Sequence, residues 1–280
     1  MTMAYDFTKF AYPALHHPDA ARLTEAITTD PVPYGFAVIT LKTREPRACL
    51  ADIRDFARGL RAIAKNTGLL DITAYRHIDR DELGGAVPYD QPVCDGLLKT
   101  ASTREETKMA AGIVSTIVLS NPVADWVLLV EFEKPEQARQ AVAGWKKGGD
   151  SFDKLDAHST KTTLGAFKNM KRYASVSRDP NVIQFFNLFP SPGDIDVVWT
   201  AWQEALPWFL EVAEIRSSFP LVALDKEQPI LLVNYAHCDS TKHFLVGTLH
   251  DPGFREVMAT SYARRNVTSP MPFFCKIVPV

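Results

Sequence analysis

The sequence is short of the features that assign a chain to a class at sight. Of its 280 residues only four are cysteines, Cys49, Cys94, Cys238 and Cys275, widely scattered and without a C-x-x-C pair. A structural zinc knot or dithiol redox motif is therefore unsupported, and isolated buried thiols are expected. Neither sign of charge dominates: 31 Lys and Arg stand against 33 Asp and Glu, which leaves no basic field for a phosphate backbone and argues against nucleic acid as the partner. No apolar run approaches the ~18 residues that span a bilayer. The opening MTMAYDFTKFAYPALHHPD also lacks the charged segment and apolar run of a secretory signal, so a cytoplasmic chain with no membrane partner is expected. Without secretion, the glycosylation pattern Asn266-Val-Thr268 carries no meaning. Glycine-rich phosphate loops, a G-x-S-x-G elbow and H-E-x-x-H are all missing, which removes several common enzyme classes.

What is present is the composition of a folded chain, 46% hydrophobic and 23% charged, long enough for one large unit or two small ones. An internal repeat decides between them. Leu128-Leu-Val-Glu-Phe132 and Leu231-Leu-Val-Asn-Tyr235 match at an offset of 103, and each is followed by a helical stretch at the same offset, beginning at Gln137 and at Ser240. Each copy has a matching first half. Gly35–Leu41 reads as a strand, and Pro46 opens a helix whose stripe runs Leu50, Ile53, Phe56, Ala57, Leu60, Ile63 and Ala64. In the second copy Val182–Leu188 is the strand, Asp194 the helix N-cap, and Ile195, Val198, Trp199, Trp202, Leu206 and Phe209 the buried stripe. Second strands are expected at about 71–78 and 219–224, last strands at about 166–176 and 273–278. The basic run Lys168–Tyr173 reads as an edge strand protected from aggregation by its charges.

Both copies thus read β-α-β-β-α-β, the split βαβ or ferredoxin-like unit. Strands apolar on both alternations point to helices covering one sheet face and a second sheet covering the other. The layout resembles the dimeric α+β barrel superfamily, and specifically its tandem members, in which two fused ferredoxin-like units combine their antiparallel sheets into a barrel. The expected organisation is an N-terminal arm over 1–33, a first unit over 34–176 with an insertion at about 79–122, and a second unit over 177–280. Further self-association into a homo-oligomer is expected as well.

The resemblance implies a small-molecule ligand held between helix and sheet. Members that degrade haem place an Asn on the first strand, a Trp on a central strand and a His on the second helix. Here Asn187 and His243 fill two of those positions in the second copy, while Tyr235 stands where the Trp is wanted. The implied function is a cofactor-independent oxygenase or lyase acting on a small aromatic or polyketide-like molecule, with His243 as base and Asn187 as hydrogen-bond partner. Such a substrate reacts with little more than one base, one hydrogen-bonding group and a dry aromatic pocket. Trp199, Trp202 and Phe209 stripe one helix face and are candidate walls; Tyr75 and His77 are candidate substrate contacts able to exchange protons, and Tyr235 and His237 are further candidate substrate contacts. No metal and no cofactor are expected. His237, Asp239 and His243 carry ligand-type groups, but Asp239 reads as a helix cap. The alternatives are a haem protein of the tandem barrel type, with His243 or His250 as axial ligand, and a non-catalytic binding or regulatory module.

Overall fold

In a computed structural model of the chain the described residues are 27–28, 34–78, 122–148, 150–170, 172–173, 182–211, 215–238, 262, 265, 267 and 271–280. The first unit comprises β1 (Gly35–Thr43), α1 (Cys49–Ala62), β2 (Leu69–His77), β3 (Trp126–Phe132), α2 (Pro135–Lys146), α3 (Asp150–Ala157) and β4 (Ser159–Asn169). The second comprises β5 (Ile183–Pro190), α4 (Ile195–Glu211), β6 (Ile215–Ala223), β7 (Ile230–Cys238) and β8 (Met271–Val278). The expected arm apart from Ile27–Thr28, and the expected insertion apart from residue 122, lie outside the described residues, as do His243, His250 and Asp239.

The eight strands follow the order β6-β4-β1-β3-β2-β8-β5-β7, every neighbouring pair antiparallel, and β7 closes the ring by pairing with β6. This is the α+β barrel of two ferredoxin-like units expected from the repeat. Closure explains why the strands are apolar on both faces. Alternate side chains from all eight strands fill the lumen, among them Phe36, Tyr75, Val127, Phe167, Phe186, Phe219, Tyr235 and Phe273. Phe186 anchors the fill, stacked on Tyr235 (5.7 Å) and Phe273 (5.8 Å) and edge-on to Tyr75 (4.9 Å). The other alternation of the first unit (Ala37, Ile39, Leu41, Ile72, Leu128, Val130) is covered by Ile53, Phe56 and Leu60 of α1, Ala138 and Val142 of α2, and Phe152 and Leu155 of α3.

Local differences from the sequence reading have physical causes. Pro46 lies in the turn before α1, which begins at Cys49, and Trp126 Nε1 donates to the Pro46 carbonyl at 2.8 Å. Ile63 falls outside the apolar stripe and is 49% exposed, because α1 ends at Ala62 and a one-turn helix (Ala64–Thr67) follows. Lys168 and Asn169 are not on an edge: they pair with Val222 and Leu221, since a closed barrel has no free edge there. Asp194 does cap α4, its Oδ1 accepting the Asp196 N–H at 2.8 Å.

The repeat offset also needs correction. The ladders within and between the units superimpose only when the first strands are related by 148 positions, the second by 146, the third by 106 and the fourth by 108. An offset of 103 would set Glu131, which is paired with the lumen residue Phe36, against Asn234, which shares the other face with Asn187. An odd slip in a strand exchanges the two faces. With the register right, Ile39, Ile72 and Leu128 of the first unit correspond to Asn187, Ser218 and Asn234 of the second. The first unit carries 40 residues more between its second and third strands, because the offset falls from 146 to 106.

Candidate functional site

The strand alternation divides the sequence candidates between two faces. Tyr75, His77, Tyr235 and His237 belong to the lumen side: Tyr75 and Tyr235 are in the lumen core, His77 pairs across from Cys275, and His237 pairs across from Gln184. Tyr235 packs on Phe219 (5.2 Å) and Tyr75 (6.3 Å), and the His77 ring lies 6.4 Å from that of Phe273. Asn187, one residue out of phase with Phe186, faces the other way, toward the helices. Trp202 is buried on α4, stacked on the half-buried Trp199 at 5.3 Å, and α4 packs on β6 and β7. The structure therefore brings Asn187, Trp199 and Trp202 to the helix-covered side of the second unit. It sets the two tyrosines and two histidines in the barrel interior.

The helix-facing floor around Asn187 is polar where its counterpart is apolar. Asn187 on β5 stands directly across from Asn234 on β7. Asn234 Oδ1 accepts a 2.6 Å hydrogen bond from Ser218 Oγ on β6, with both residues buried. At the corresponding places the first unit has Ile39, Leu128 and Ile72, all packed under its helices. Around the polar group the floor is aromatic: Phe185 packs on Phe274 (5.6 Å), and Phe189 is stacked under Tyr262 (5.7 Å). Arg265 is tied to Glu204 of α4 by an ion pair at 2.6 Å, and the Val267 N–H donates to the Tyr262 carbonyl at 3.1 Å.

Two buried polar atoms here find no hydrogen-bond partner among the described residues: Asn187 Oδ1 and the Tyr262 hydroxyl. Asn187 is 5% and Tyr262 1% exposed. An orphaned buried polar group costs about 1–3 kcal/mol, so each of these atoms is a destabilising feature of the chain taken alone. Burial raises the Tyr262 pKa far beyond the usual phenol range, which keeps its hydroxyl protonated.

Ser218, Asn234 and Tyr262 were not among the residues singled out from sequence. Asn234 had a readable signal, a polar residue inside the apolar run Leu231–Ala236, but its face depended on the register. Tyr262 had none, since its place is fixed by tertiary packing. Among the described residues no group of three metal-ligating side chains converges. No described histidine lies on the helix-facing floor of the second unit, and the candidate haem ligands His243 and His250 lie outside the described residues. No described helix is long and apolar enough to cross a membrane.

Closed barrel, tandem units and a helix-covered polar floor in the second unit define the chain as one with the dimeric α+β barrel fold. A solved structure shares this fold. An anthrone oxidase-like protein matches with a TM-score of 0.59 at 12% identity, over 88% of this chain and 92% of that one. A monooxygenase-like protein from Listeria innocua matches over 89% and 96% of the two chains at 11% identity and a TM-score of 0.37. A chlorite dismutase variant from Candidatus Nitrospira defluvii covers 88% and 92% at 9% identity with a TM-score of 0.39. No family model and no curated protein matches the chain.

Proposed function

We propose that the chain is an enzyme that binds a small aromatic or polyketide-like molecule against the helix-facing floor of its second unit and oxidises it with dioxygen, without a cofactor. One observation carries this reading: the amide of Asn187 is buried on an aromatic floor with its oxygen unpaired, where the first unit has a packed isoleucine. Likeness of fold to an anthrone oxidase-like protein supports the choice of substrate class.

In this reading Asn187 orients the substrate by a hydrogen bond, Trp199 and Trp202 wall the site, and His243 removes a proton. An anthrone has a methylene made acidic by its flanking rings and by the ketone across the ring. Loss of a proton to His243 leaves a carbanion that transfers its electrons to dioxygen; one oxygen atom becomes the new carbonyl and the other leaves as water. The stoichiometry, one anthrone and one dioxygen giving one anthraquinone and one water, needs no external reductant. A positioned base contributes about 10²–10⁴-fold to such a step.

Oxygen uptake and anthraquinone absorbance, measured together with anthrone as substrate, test it. Consumption of one dioxygen per anthrone above the buffer rate is expected, falling about a hundredfold in His243→Ala and substantially in Asn187→Ala. A rate equal to autoxidation in buffer would rule the activity out.

A further inference from the structure

Among the described residues, Asn187 Oδ1 and the Tyr262 hydroxyl are the unpartnered buried polar atoms on this face, and Phe189 links their residues. Phe189 is the next residue along β5 on the same face as Asn187, about 6.6 Å further on, and the Tyr262 ring is stacked on it at 5.7 Å. The first atom is an acceptor. The second is a phenol, which donates one proton and accepts on its lone pairs. A ligand hydroxyl is complementary to both, able to donate to the amide oxygen and to accept from the phenol.

From this pairing we infer that Asn187 and Tyr262 form a two-armed clamp for one neutral hydroxyl on an aromatic ligand, with Tyr262 as a specificity-determining residue. The inference rests on the aromatic-ligand reading above and narrows it to phenols and enols. It also favours a neutral hydroxyl over a ligand that arrives as a carboxylate or phosphate. Asn187 Oδ1 repels an anion, and the described floor residues Phe185, Phe189, Ser218, Pro220 and Asn234 carry no positive charge. An anion buried without a partner is strongly disfavoured. Because the phenol stays protonated when buried, the donor arm persists across the neutral and mildly alkaline range.

Three naphthalene probes with different substituents at one position separate the outcomes by calorimetric titration: 2-naphthol, 2-methylnaphthalene and 2-naphthoate. The wild-type chain is expected to bind 2-naphthol at least about fivefold more tightly than 2-methylnaphthalene and to show no binding of 2-naphthoate. Tyr262→Phe is expected to remove most of the preference for 2-naphthol while leaving 2-methylnaphthalene unchanged. Since that substitution deletes an unpaired hydroxyl, the ligand-free variant should melt at or above the wild-type temperature, which separates lost recognition from lost folding. Unchanged 2-naphthol affinity in Tyr262→Phe, or 2-naphthoate binding as tightly as 2-naphthol, overturns the clamp and leaves the aromatic site standing. Failure of all three probes to bind wild type overturns the clamp and the aromatic-ligand reading together.

Discussion

Replacing Asn187 by valine separates a residue kept for function from one kept for folding. In the ligand-free chain its Oδ1 is buried and unpaired, a situation that costs about 1–3 kcal/mol. Valine removes the polar atom, differs little in size, suits a strand, and follows the apolar pattern of the first unit, where Ile39 holds the corresponding place. Imperfect packing takes back part of the gain, typically less than ~1.5 kcal/mol for a well-matched replacement. Asn187→Val is therefore expected to be more stable than wild type by about 1 kcal/mol, or about 2–4 °C in melting temperature for a chain of this size. Urea and thermal unfolding followed by circular dichroism measure this. Affinity for an aromatic hydroxyl ligand should fall in parallel. A variant destabilised by about 1 kcal/mol or more that retains ligand affinity would show that the amide is a satisfied structural group, and the reasoning from its unpaired oxygen would be wrong.

The neighbouring pair gives the opposite sign. Ser218→Ala leaves Asn234 Oδ1 without its 2.6 Å donor and should lower stability by about 1–2 kcal/mol, whereas Ser218→Ala with Asn234→Val should recover most of that in a double-mutant cycle. Additive losses would show the two side chains to be uncoupled. For the thiols, burial, with the carboxylates of Asp52 and Asp125 adding to it, pushes Cys49 from 9.0 up to about 11, and burial also holds Cys275 well above 9.0. Both are free and buried. The folded chain binds these protons more tightly than the unfolded one, so the linked stability is present below pH 9 and is lost as pH rises from 9 toward 11. Unfolding midpoints at pH 8, 9 and 10 should fall in that order, and midpoints independent of pH over that range would contradict it.

Architecture was legible because two kinds of signal agreed. The β-α-β-β-α-β order appeared twice, and strands apolar on both alternations required cover on both faces, which the closed barrel supplies. Register was not legible. Leu128–Phe132 and Leu231–Tyr235 are apolar at nearly every position, so hydrophobicity fixes neither their phase nor their partners, and the match at 103 falls on the wrong face. The candidate site inherited that ambiguity. Asn187 is reached through the family resemblance, but Tyr235 and Tyr75 fill the lumen, because each lies one step out of phase with the helix-facing positions. The partnership of Ser218 with Asn234 joins strands β6 and β7 through a side-chain bond that no local pattern encodes.

On the proposed function the chain binds one ligand, on the helix-facing floor of the second unit, and none at the apolar counterpart in the first. Calorimetric titration of the full chain with 2-naphthol tests this most directly, because it reports stoichiometry and affinity together. One ligand bound per chain, abolished or strongly weakened in Asn187→Val, is the expected result. Two ligands per chain, or one bound with unchanged affinity in that variant, would contradict it.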